Sequence, residues 1–155
     1  MRDLKELVKD LDKIQNKITN ELIKAQQDTA KIVCEDVKVL APKDTGEYAN
    51  SIKVSETKVD GSKIETDIYT DFIVSSKSNG KSYNLGYLLE NGYAPHFIFP
   101  VDASVLKFEI GGKTIFSKYV LHPGFVGSPH FAPALNKNKS EYDNQIGKAL
   151  DKVFK

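Results

Sequence analysis

Ala41-Pro42-Lys43-Asp44-Thr45-Gly46-Glu47-Tyr48-Ala49-Asn50-Ser51-Ile52 separates two kinds of sequence. Before it, from Asp3 to Leu40, there is neither Gly nor Pro. After it come short runs rich in Ile, Val, Thr, Tyr and Phe, punctuated by Gly, Pro and Asn. Pro42 stops a helix, because the residue before a proline is pushed out of the α region. Asp44-Thr45-Gly46-Glu47 then matches a capping box, with Asp44 accepting from the Glu47 amide and Glu47 reaching back to the Asp44 amide. Tyr48 and Ile52, four apart, would pack one face of a short second helix or turn. Stop, corner and restart give the acidic pair Asp44 and Glu47 a complete structural role.

Upstream, apolar residues fall at Leu4, Leu7, Val8, Leu11, Ile14, Ile18, Leu22, Ala25, Ile32, Cys34, Val37 and Leu40. Most steps are three or four, the spacing of one helical face. A continuous helix would be about 55 Å long, more than a domain of this size needs. Its first half is therefore expected to project from the body or lie along a neighbouring subunit. The stripe thins at Gln26-Gln27-Asp28-Thr29, which leaves open a break into two helices there. Lys5, Lys9, Lys13 and Lys17 form a row, but Glu6, Asp10 and Asp12 interleave with it, so it reads as a solvated face.

The 155 residues fit one domain, and the net charge of +1 comes from 22 basic and 21 acidic side chains. That balance gives no electrostatic reason to expect nucleic acid or an anionic membrane as partner. Cys34 is the only cysteine, so no intrachain disulfide forms, which suits a reducing compartment. No apolar run approaches the roughly 20 residues that span a bilayer. Met1-Arg2-Asp3-Leu4-Lys5-Glu6 lacks the apolar core of a secretory signal. The expectation is a soluble protein made in the cytoplasm.

Ile52 to Thr70 reads as a hairpin around Asp60-Gly61. A two-residue Asp-Gly loop would set Lys58 against Lys63 and Glu56 against Glu65, and like charges directly opposite are unfavourable. A three-residue loop, Val59-Asp60-Gly61, instead sets Ile52 against Ile68, Lys53 against Asp67 and Val54 against Thr66, and is the register expected. Phe72-Ile73-Val74 extends the sheet after a kink. Ser75 to Ser82 has no apolar residue and reads as an exposed loop. Tyr83, Leu85, Tyr87 and Leu89 alternate, predicting a half-buried strand that runs into Asn91-Gly92. A second hairpin, Val105 to Lys118, turns at Gly111-Gly112 with Phe108 opposite Ile115. His122 to Pro133 is expected to be irregular. Lys139 to Phe154 predicts a closing helix with Tyr142, Ile146, Leu150 and Val153 on one face. The fold class is α+β: a long N-terminal helix (1–40) and a C-terminal helix (136–155) packed on a mainly antiparallel sheet (41–135). That sheet is expected to form a partly closed sandwich or barrel.

Candidates for chemistry are few. His96, His122 and His130 match no compact zinc spacing, and a second cysteine is lacking. Glu90, at the end of an apolar run, could serve as a general acid or base with His96 nearby. The plainer reading has it accept hydrogen bonds from the Asn91-Gly92 turn or a neighbouring subunit. No nucleophile elbow and no phosphate-cradling glycine loop is present. No cofactor, metal or catalytic residue is therefore assigned. A metal-dependent hydrolase using Glu90 and the histidines, and a helical adaptor module, stand as the alternatives.

Taken in order, the corners resemble a family of tailed-phage and prophage proteins, the head–tail joining or tail-completion (minor tail component) family. The resemblance is carried first by Ala41-Pro42-Lys43-Asp44-Thr45-Gly46 and Ser51-Ile52. Tyr87-Leu88-Leu89-Glu90-Asn91-Gly92, Pro95 to Pro100 and Leu106-Lys107-Phe108 follow. His122-Pro123-Gly124 and Pro129-His130-Phe131-Ala132-Pro133-Ala134 close the series. Tyr48, Tyr93 and His130 depart from the usual pattern. The resemblance covers roughly residues 30 to 150. It implies a non-enzymatic virion subunit that forms a ring, commonly a hexamer, at the neck between head connector and tail. Its partners would be itself, the adjacent head-connector protein and a tail-terminator or tail-tube protein. DNA would at most pass through the lumen, and no membrane is involved. The helix from Leu4 to Ile23, through Leu4, Leu7, Leu11, Ile14, Ile18 and Leu22, and the loop Ser75–Ser82 are the segments expected to meet neighbours.

Overall fold

A computed structural model describes residues 3–76 and 80–154. In chain order the elements are α1 (Leu4–Leu40), α2 (Glu47–Ser51), β1 (Ile52–Val54), β2 (Lys58–Asp60), β3 (Lys63–Glu65), β4 (Ile68–Thr70) and β5 (Ile73–Ser75). β6 (Ser82–Asn84), α3 (Leu85–Asn91), β7 (Gly92–Tyr93), β8 (His96–Ile98), β9 (Leu106–Ile110) and β10 (Lys113–Ser117) follow. The chain closes with β11 (Val120–His122), β12 (Phe125–Val126), α4 (Phe131–Lys137) and α5 (Lys139–Phe154). This is the α+β class the sequence predicts. Instead of one sheet, however, the strands form six two-stranded ribbons, and no closed barrel is present among the described residues. The chain divides into two compact units.

The first unit holds Met1–Ala41, Ile52–Tyr69 and His130–Lys155. α1 is one unbroken helix of 37 residues, so the polar stretch at Gln26 to Thr29 does not interrupt it. Thr29 is buried and donates its hydroxyl to the Ala25 carbonyl at 2.9 Å, which satisfies it inside the helix. The last turn closes with the Ala41 N–H on Val37 O at 2.8 Å, and Pro42 comes next. α4 and α5 run antiparallel to α1: Lys137 sits on Asp36 at 2.8 Å and Lys152 on Glu21 at 3.4 Å. The core contains Val33, Cys34 and Val37 of α1, Ile52 of β1, Ala134 of α4 and Ala149 of α5. Small residues at several of these places let the helices approach closely.

Two expectations change in this unit. β2 and β3 pair Lys58 with Glu65, Val59 with Ile64 and Asp60 with Lys63, so the loop is Gly61-Ser62 and neither expected register forms. Opposite charges then face each other at both ends of the ribbon. Gly61, at φ +58°, takes the first central position of a two-residue turn, where a left-handed residue is required. The C-terminal helical region begins at Phe131, inside the Pro-rich stretch predicted to be irregular. Pro133 is tolerated there because first-turn N–H groups have no partner within the helix.

The second unit holds Pro42–Ser51 and Thr70–Pro129. Its ribbons are β5–β6, β7–β12, β8–β11 and β9–β10, all antiparallel. The β9–β10 hairpin pairs Phe108 with Ile115, as predicted. The predicted strand over residues 83–89 survives only at its start, where Tyr83 lies in β6, because α3 starts at Leu85. Asn84 decides this, since its Oδ1 accepts from the Tyr87 amide at 3.2 Å while its Nδ2 donates to Thr70 O at 3.0 Å. Leu85, Leu88 and Leu89 then fall on one helical face and are half-buried, leaving Tyr87 68% exposed. The predicted loop Ser75–Ser82 is the turn of the β5–β6 ribbon, closed by Ser76 N–H on Lys81 O at 2.8 Å. Its tip at 77–79 lies outside the described residues.

Candidate functional site

Two of the sequence corners interlock in the second unit. β7 and β12 pair Tyr93 with Phe125 and Gly92 with Val126, which brings Glu90-Asn91-Gly92 against Phe125-Val126-Gly127. A Cβ on Gly92 would overlap the Phe125 carbonyl oxygen, and one on Gly127 would overlap Glu90 O. At Gly124 it would stand 2.6 Å from Tyr93 O. Gly92 also holds φ +72°. Backbones can lie this close only where side chains are missing. Ser128 N–H on Leu89 O, at 2.7 Å, closes the junction.

His122 and His96 are partners across β8–β11, with ring centroids 5.2 Å apart and planes 19° from parallel. Tyr93 leans on both rings, at 5.6 and 5.7 Å. His122 Nδ1 accepts from the Gly124 amide at 3.0 Å, which turns the corner after Pro123 and places the neutral ring's proton on Nε2. His96 Nδ1 lies 3.2 Å from Ala94 O, so the proton is on Nδ1 there. A metal at His122 Nε2 would require the proton to move to Nδ1 and break the Gly124 bond. His130, the third candidate, is fully buried in the first unit, its ring centroid 4.9 Å from that of Phe131. Among the described residues no three His, Cys, Asp or Glu side chains come together as a metal site.

The opening corner also departs from its predicted geometry. α2 begins at Glu47, so Glu47 is the first helical residue and cannot occupy the third position that a capping box requires. The Glu47 amide donates to the Thr45 hydroxyl at 3.4 Å, and Asn50 N–H on Gly46 O, at 3.0 Å, makes the first turn. Asp44 and Lys43 are exposed beside Pro42. The corner's yield is Tyr48, which is buried and edge-on to Phe72 at 6.4 Å. Burial, reinforced by the Glu90 carboxylate, pushes the Tyr48 hydroxyl up to about 12. Glu90 is thus half-buried at the end of α3, close enough to be felt by Tyr48, rather than at a strand end.

Cys34 is the remaining nucleophile. Its Sγ points to Ile52 O at 3.8 Å, and burial raises its ionisation above the ordinary thiol value, so the reactive thiolate is disfavoured.

Apolar surface is the other prominent feature. On α1, Leu4, Leu7, Leu11 and Ile14 are 78%, 49%, 57% and 44% exposed, whereas Ile18 and Leu22 are half-buried where α5 approaches. In the second unit Phe97, Phe99 and Tyr119 form an exposed aromatic cluster, with Phe97 and Tyr119 edge-on at 5.5 Å. Beside it lies an open groove of about 630 Å³ lined by Tyr83, Leu88, Tyr93, His96, Phe99 and Val101, among others. The sequence reading missed this surface. Its signal was the alternation of Phe97 with Phe99 and of Tyr119 with Leu121, legible only once β8 and β11 were known to pair.

No helix among the described residues is long and apolar enough to cross a membrane. Searches among curated proteins and among solved structures find no match. A family model does match: HK97-gp10-like, described as "Bacteriophage HK97-gp10, putative tail-component", aligns with residues 5–92. That span covers more than half of the chain, including α1, the opening corner and Gly92. The chain belongs to the HK97-gp10-like family of bacteriophage tail components.

Proposed function

We propose that this phage structural tail protein is a neck or tail-completion subunit, which forms a ring and joins the tail to the head connector. One observation carries the reading. The chain leaves large apolar surfaces uncovered: the first half of α1 and the aromatic face of β8–β11. Soluble monomers rarely expose contiguous apolar patches of this kind, and such patches mark sites of association. The ribbons support the same reading, because a two-stranded ribbon is marginal alone in water and keeps unpaired edges for a neighbour. In a ring each contact is heterologous and closes by rotation, so the α1 stripe of one copy meets a different surface on the next. The work is mechanical, and no side chain is assigned a catalytic role. Near-neutral charge suits a lumen that DNA passes through without being gripped.

Deleting the gene from an inducible phage genome and imaging the lysate tests this. Filled heads and free, unjoined tails are expected, with joining restored by the purified protein. Intact infectious particles from the deletion would sink the proposal.

A further inference from the structure

The uncovered part of α1 has a definite length and pattern. Leu4, Leu7, Leu11 and Ile14 repeat at steps of three, four and three, the spacing of a coiled-coil seam, with Val8 exposed beside it. α5 lies along the continuation of this seam, with Lys152 reaching Glu21 and the helix ending at Phe154. The seam is therefore covered by an antiparallel helix up to the neighbourhood of Ile18 and bare beyond it. We infer that the bare seam pairs with the same seam of a second copy of this chain, antiparallel, with Leu4 facing the partner's Ile14 and Leu7 facing the partner's Leu11.

Three features select this occupant and this direction. The pattern is its own complement when reversed, so every layer is apolar on both sides. A reversed copy occupies the uncovered length and ends where α5 ends, so it continues the line of α5 without displacing it. Charge also favours reversal. Antiparallel, Asp3 flanks the partner's Lys17 at both ends and Val8 lies near the partner's Val8. The one like-charged contact is Asp10 with its symmetry mate, and each Asp10 is already held by Lys13 at 3.3 Å. In the parallel arrangement the flanking pairs are Asp3 with Val8 and Asp10 with Gln15, which offer no attraction, and the helix dipoles lie side by side. Covering the exposed apolar residues would bury about 1,000 Å² over both copies, at the low edge for a stable interface, so the pair should be concentration-dependent.

This inference rests on the reading of α1 as a subunit contact and names its partner in the free chain. A two-fold contact is isologous and cannot be the repeating contact of a ring. The pair therefore shields the seam before assembly and opens when α1 engages a ring neighbour.

Sedimentation of the full chain from low to several hundred micromolar should show monomer passing to dimer. Leu7→Glu with Leu11→Glu should remain monomeric throughout and, because both positions are exposed, should melt with the wild type at concentrations where the wild type is monomeric. Direction is read by oxidation of cysteine variants, with Cys34 buried and out of reach. Leu7→Cys should crosslink to Leu11→Cys in a mixture, and neither should crosslink to itself. A monomer at every concentration overturns the inference, and so does self-crosslinking of Leu11→Cys, which marks a parallel pair. Tail joining by the Leu7→Glu, Leu11→Glu chain is scored separately. Failure of joining in the deletion assay bears on the neck reading, whereas sedimentation and the crosslinks decide the pairing.

Discussion

Gly92, Gly124 and Gly127 are glycines for reasons of space. Each lies where another stretch of backbone passes too close for a Cβ. Gly92→Ala would meet the Phe125 carbonyl, which cannot swing aside as a flexible side chain could, and would also force alanine to φ +72°. A loss of about 2–4 kcal/mol is expected from overlap and backbone strain together. A urea titration measures it, and a loss under about 0.5 kcal/mol would mean the crossing is looser than described. Tyr48 yields a pH prediction. Its folded ionisation, at about 12, lies above the ordinary tyrosine value of 10.0 because burial disfavours the phenolate. The raised value means this contribution is complete below pH 10 and is lost as the pH rises towards 12. Stability of the wild type should fall over that window more steeply than that of Tyr48→Phe; equal slopes would show that Tyr48 ionises freely. Gly92 and Gly124 were legible in the sequence as corner residues, but which strands they bring together was not. The capping box failed because a helix start two residues later reassigns every cap position.

At the scale of elements, local patterns succeeded where one element's own spacing decides the outcome. α1, the α5 span Lys139–Phe154 and the β9–β10 register all follow from periodicity and turn residues. They failed at residues 85–89, where alternation favoured a strand but Asn84, anchored on Thr70 O, caps a helix. Tertiary anchoring overrode local preference there. The α4–α5 joint is held in a similar way. Asn138, buried, donates to Ala134 O at 2.9 Å and to Asp36 at 2.6 Å. The hydrogen bond from Lys137 first, and then that from Asn138, holds the Asp36 carboxyl below the usual range. Asn138→Ala should cost about 1–3 kcal/mol, because it strips a partner from a buried carbonyl and a carboxylate. Thermal melts read the loss; if Asn138→Ala melts with the wild type, the joint is held by helix packing alone.

At the scale of the whole molecule, the described structure is short of cover. Six ribbons of two strands and an apolar seam on α1 leave many amides and apolar side chains facing water. Hydrogen exchange of the isolated chain should therefore be fast in β5–β12 and in α1 before Ile18, and slow in α1 from Ala25 to Val37. In assembled tails the fast regions should slow by at least tenfold; protection that stays unchanged would mean these surfaces remain free in the particle. The sequence by itself determined the long helix, the α+β class, the absence of a compact metal spacing and the order of corners that marks the phage family. These depend on periodicity and on residues that start or stop elements, which are local properties. Only the tertiary structure decided that the strands form separate ribbons, that Gly92 and Gly124 lie at one crossing, that His96 stacks on His122, and that the α1 seam is bare before Ile18. Each of those depends on contacts between residues far apart in the chain, and local spacing carries no record of which distant segment will supply the cover.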